Sequence, residues 1–142
     1  MQLYVEDQTE RLVQSIQALV ASIRAEEGLA MINIHLTAIS TVVMNVSSST
    51  EHIMYKPDVN PALRERSGPI IQTLDENRGR LIDTAKDGET ATSPQKLREV
   101  TNKLPPIAFE IARETKELGR QLNSVQHEED EEDDFRWSPS PH

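Results

Sequence analysis

The chain has no cysteine, which removes a disulfide framework, a thiolate zinc site and a cysteine nucleophile together and fits a reducing compartment. Aromatics are scarce, with two Phe, two Tyr and one Trp in 142 residues. Any core is therefore aliphatic, which favours packed helices over a sandwich or barrel. Glycine is sparse as well: Gly28, Gly68, Gly79, Gly88 and Gly119 form neither a dinucleotide fingerprint nor a phosphate-cradling loop. The histidines, His35, His52, His127 and His142, are not paired at helical spacing, and none follows a Glu by three residues as di-iron bundles require. No catalytic, metal or cofactor constellation is present in the sequence, so a non-enzyme is expected, with no cofactor. No uninterrupted apolar run approaches the ~18 residues that span a bilayer. The opening MQLYVEDQTE also lacks the basic and apolar regions of a secretory signal, so a soluble cytoplasmic protein is expected. In that setting Asn45-Val46-Ser47 reads as a chance match to the glycosylation sequon.

Charge is present but unevenly placed. The net charge is -9, and residues 128–134, EEDEEDD, hold seven of the 24 acidic groups. The rest of the chain is nearly balanced, which offers no general attraction to nucleic acid or anionic lipid.

Apolar residues recur at threes and fours, a rhythm that only an α-helix gathers into one stripe. Val5, Leu12, Ile16, Leu19 and Ile23 mark a first helix from about Leu3 to Glu27, with Gln8, Gln14, Gln17 and Arg24 largely off the stripe and Gly28 as its stop. Leu29, Ile32, Leu36, Ile39, Val43 and Val46 mark a second, expected to run through Ser47 to Thr50 as far as Ile53, because hydroxyl side chains can bond the preceding turn. Asn60-Pro61 and Ser93-Pro94 each read as an N-cap followed by proline in the first turn. The third helix then runs from Pro61 to about Lys86 through Leu63, Ile70, Ile71, Leu74, Leu81 and Ala85, with Gly68-Pro69 expected to kink it or split off its first turns. The fourth carries Leu97, Val100, Leu104, Ile107, Ile111, Leu118, Leu122 and Val125, and Pro105-Pro106 should bend it near Leu104. Four such helices on short connections imply an all-α, antiparallel up-down-up-down four-helix bundle over residues 1–126. Residues 127–142 are expected to form an acidic disordered tail, where Ser138-Pro139 and Ser140-Pro141 match minimal proline-directed phosphorylation sites.

One face of the fourth helix gathers Arg113, Lys116 and Arg120 at spacings of three and four, roughly opposite the core stripe. It reads either as a solvated face neutralised by Glu110, Glu114 and Glu117, or as a docking surface for an acidic amphipathic helix. Arg64, Arg66, Arg78 and Arg80 make a second cationic group on the third helix. Membrane-surface binding through them is disfavoured by the net charge.

Three segments carry a family likeness. YVEDQTERLVQSIQALVASIRAE at 4–26, GRLIDTAKDGE at 79–89 and LPPIAFEIARETKEL at 104–118 resemble the C-terminal domain of the fungal polarisome scaffold, the Spa family. That domain is similar in turn to the focal-adhesion-targeting-like bundle closing the GIT Arf-GAP scaffolds and, more distantly, to the vinculin-binding bundles of talin. The likeness spans about Leu3 to Leu122 and excludes the acidic tail. It implies a non-catalytic interaction module of a polarity and cytoskeletal scaffold, docking partner helices at sites of polarised growth such as a cell tip or bud. Other proteins are then the partners, through amphipathic helical segments, while the charge balance argues against nucleic acid and disfavours a membrane. The alternative is a talin-like switchable bundle that donates its first helix to a partner.

Overall fold

The computed structural model describes residues 2–137, and side chains over 4–122. Five helices follow one another: α1 (Gln2–Arg24), α2 (Leu29–Met54), α3 (Pro61–Glu89), α4 (Pro94–Thr101) and α5 (Leu104–Trp137). α4 and α5 together make the fourth rod of an antiparallel bundle with no strand among the described residues. Each rod packs on two neighbours, in the ring α1–α2–α3–α5–α1.

The stripes meet on the bundle axis. Leu12 and Leu19 of α1, Ile39 of α2, Leu74 of α3, and Leu104, Ile111 and Leu118 of α5 are all fully buried there. α2 is long and apolar enough by composition to cross a membrane, beyond what a search for uninterrupted apolar runs suggests. In the bundle it is a core helix, burying Ile32, Leu36, Ile39, Val42, Val43 and Val46. It also continues unbroken to Met54, as expected, although the reason differs in detail. Ser47 Oγ donates to Asp75 on α3 at 3.4 Å, and Thr50 Oγ1 finds no hydrogen-bond partner among the described residues. The expected bonding to the preceding turn is instead made by Thr9, Thr41, Thr73 and Thr115.

Both proline-led caps form. Asn60 Oδ1 accepts from the Ala62 amide at 2.9 Å and Ser93 Oγ from the Lys96 amide at 3.1 Å. The expected split at Gly68-Pro69 does not occur, since α3 runs through Pro69. Proline disfavours a helical predecessor partly through that residue's Cβ, and Gly68 has none. At Pro105-Pro106 the outcome is the reverse, a break rather than a bend. Two successive residues without N–H leave the carbonyls of Thr101 and Asn102 without helical donors. α4 therefore closes through the Asn102 and Lys103 amides, and α5 begins afresh with both prolines in its first turn, where they are tolerated.

Two further expectations are corrected. Gly28 does not end α1: it is the N-cap of α2 with φ -64°, and the left-handed residue after α1 is Glu26, φ 54°. Gln8 lies inside, at 7% exposure, because α1 is clasped by α2 on one side and α5 on the other and buries more than a single stripe. At the acidic end, α5 remains helical to Trp137, past the Gln126 boundary drawn from composition. Ser138 and Ser140 lie outside the described residues, as do the side chains of Val125 and His127.

Candidate partner-docking groove

α1 and α5 are antiparallel neighbours that meet at Val5 and Gly119. A Cβ built at Gly119 would lie 3.4 Å from Val5 Cγ1, an ordinary van der Waals contact, so the glycine leaves bare backbone at this point rather than fixing the helix spacing. On the outer side of this contact the two helices leave a groove of about 580 Å³. Val5, Thr9 and Val13, spaced by four on α1, form its apolar side with Gly119. Thr9 contributes to that character because its hydroxyl donates to the Val5 carbonyl at 2.7 Å, leaving the methyl as the group it can offer.

The two rims carry opposite charge. Lys116 and Arg120 stand on the α5 side, Glu6 and Glu10 on the α1 side. The structure thus brings two of the three sequence-selected cations to the groove. Arg113 is not among its lining residues. Its guanidinium lies 3.8 Å from Glu110, which also meets Arg80 of α3 at 3.5 Å. Arg120 pairs with Glu117 at 3.1 Å, three residues earlier. Lys116 makes no ion pair among the described residues. Both the solvated-face and the docking readings therefore find residues to rest on: Arg113 and Arg120 have the glutamate partners of the former, Lys116 and Arg120 the groove position of the latter.

Sequence reasoning missed the α1 wall. Its signal is a minor ladder at i, i+4 that leaves the main stripe at Val5 and continues through Thr9 and Val13, flanked by Glu6 and Glu10. It passes unnoticed when only the dominant period is followed.

Three of the α3 arginines have partners within the bundle. Arg64 holds the Met54 carbonyl, Arg78 Nε donates to Ser40 Oγ at 2.8 Å, and Arg80 donates to Asn77 Oδ1 at 2.9 Å. His35 is an interhelical residue, its Nε2 3.0 Å from Ser22 Oγ. Among the described residues no cluster of His, Asp or Glu could hold a metal ion.

A protein-family model described as the G protein-coupled receptor kinase-interacting protein 1 C-terminal region matches residues 2–123. Neither the curated proteins nor the solved structures yield a match.

Proposed function

The chain belongs to the G protein-coupled receptor kinase-interacting protein 1 C-terminal family, and we propose that it is the partner-docking module of a polarity and cytoskeletal scaffold. Domains of this family are protein-interaction domains of scaffolds rather than catalytic ones. The observation that carries the reading further is the α1–α5 groove, with an apolar side between a cationic and an anionic rim. An amphipathic helix fits such a groove by burying its apolar row against Val13, the Thr9 methyl and Gly119, over a floor closed by the buried Val5. Its acidic edge would face Lys116 and Arg120. The carboxylates of Glu6 and Glu10 make a uniformly acidic occupant a poorer fit than one with a basic opposite edge. The polarised-growth setting, at a cell tip or bud, is supported by the likeness of segments 4–26, 79–89 and 104–118 to the fungal polarisome domain.

Titration of the isotopically labelled chain with a synthetic leucine-rich helical peptide, acidic along one edge, tests the groove. Amide shifts should concentrate on α1 and the Lys116–Arg120 stretch. Exposed ion pairs contribute ~0.2–1 kcal/mol each, and reversal adds repulsion, so Lys116→Glu with Arg120→Glu should weaken binding about tenfold. Affinity should also fall as salt exceeds ~0.15 M. Arg113→Glu, off the groove, should have little effect. Undiminished binding by the double variant, or shifts centred on another seam, would remove the site from this groove.

The second reading, in which α1 leaves the bundle to join a partner, finds no feature peculiar to that helix: α1 buries Gln8 and Ser22 as α2 buries Ser47 and Thr50 and α3 buries Ser67 and Asn77. Hydrogen exchange on the free chain discriminates the two: α1 amides exchanging well ahead of α3 and α5 support it, and uniform protection opposes it.

A further inference from the structure

Between Glu27 and Glu51 the sequence contains no Asp, Glu, Lys or Arg, in a chain that is 27% charged. That interval covers α2 as far as Thr50, and one side of the helix faces outward. Ala30, Ile34, Thr37, Thr41, Met44 and Ser48 are all exposed and follow one another at alternating steps of four and three, the spacing of the seam in a two-stranded coiled coil. Ile34 is 58% exposed and Met44 49%. The row is less polar than its threonines suggest, since Thr41 Oγ1 donates to the Thr37 carbonyl at 2.8 Å and its methyl is left to present. Along the α3 side the row borders a second groove, of about 470 Å³, reaching Ile82, where the charged residues Lys86 and Glu89 belong to α3 and carry opposite signs.

We propose that this outer face of α2 is a self-association surface, on which a second copy of the chain packs its own α2. Charge selects the occupant. A strongly acidic or basic peptide would find nothing on the row to pair with. Anionic lipid is recognised by Lys and Arg, which α2 lacks outright, and the net charge of -9 opposes approach to it. A second copy carries the same negative charge, and an uncharged strip is where two such molecules meet with least repulsion. A two-fold contact also needs a patch that is complementary to itself, and an uncharged row of small, hydroxyl and aliphatic side chains presents nothing that repels its own copy. From Ala30 to Ser48 the row is roughly 28 Å long at helical rise. With the adjoining Met31 and Ile82, the two copies would bury on the order of 1,000 Å² in all, below the range of stable specific interfaces and in that of weak, transient ones. The dimer is therefore weak and concentration-dependent. It leaves the α1–α5 groove open on both copies.

Sedimentation of the full chain from about 1 μM to 1 mM, at low and high salt, tests this. The average mass should rise from 16.0 kDa toward twice that value, and rise further at high salt because screening removes the repulsion between copies. The sign is opposite to that expected for peptide in the α1–α5 groove, so the two surfaces are read separately. Ile34→Asp and Met44→Asp, each at an exposed position, should hold the chain monomeric with unchanged helical circular dichroism and unchanged peptide binding. A chain that stays monomeric throughout overturns the proposal. So does a dimer indifferent to both substitutions, or a monomer that instead binds zwitterionic phosphatidylcholine vesicles through α2.

Discussion

The guanidinium of Arg64, in the first turns of α3, donates two hydrogen bonds to the backbone carbonyl of Met54, the last residue of α2, from Nε at 3.0 Å and from Nη2 at 2.7 Å. A fixed positive charge thus closes the C-terminus of α2, where the helix dipole is negative and carbonyls lack helical partners. The same contact ties the α2–α3 connection. Arg64→Met, which keeps the stem and removes the donors, should cost about 1–2 kcal/mol in urea unfolding. Arg64→Lys should recover only part, because an ammonium cannot reproduce the planar fork. Full recovery by lysine would reduce the contact to simple charge.

Glu26 holds φ 54°, a conformation that costs an L-residue with a Cβ and costs glycine far less. The Glu26 carboxylate meets Arg98 Nε at 3.2 Å, but both side chains are more than 60% exposed, so that pair adds little. Glu26→Gly should raise stability by about 0.5–1 kcal/mol, measured as a higher denaturation midpoint. A loss would show that the Arg98 pair outweighs the backbone term.

Ile111 is completely buried, between Ile107 and Leu118 along the stripe of α5. Ile111→Ala should cost about 2–5 kcal/mol by lost transfer energy and residual cavity. Calorimetry on this variant beside Phe109→Ala supplies the contrast, because Phe109, two residues away, is 55% exposed and its truncation should cost far less. Equal losses at the two positions would contradict the phase of the helix.

Truncation after Gln126 should leave the melting temperature almost unchanged. Leu122 is the last buried side chain among those described, and the run at 128–134 adds mainly repulsion between carboxylates. A drop of several degrees, or loss of cooperative unfolding, would mean that the acidic part of α5 packs on the bundle.

The apolar period was enough to place Leu12, Ile39, Leu74 and Ile111 in one core, because burial of a stripe follows directly from helical geometry. Asn60 and Ser93 were legible as caps for an equally local reason. What escaped depends on neighbours. Gln8 is inside because two helices close over α1. Pro69 is accommodated while Pro105 and Pro106 interrupt, a difference between a proline preceded by a Cβ-free residue and two prolines in succession. At the groove, Lys116 and Arg120 were visible as a basic face. The apolar partner wall on α1 required the packing of α1 against α5, since only that contact decides which side of the basic face borders a groove.

The antiparallel contact of Val5 with Gly119 places the start of α1 beside the far part of α5, so chain enters and leaves the bundle at the same end. Tension between those two points would not shear the helices along their lengths. It would pull α1 and α5 apart like a zipper, one turn at a time, beginning at the seam that forms the docking groove. A helix seated there would bridge both sides of the tear, so that occupancy of the groove and mechanical resistance of the bundle rise together.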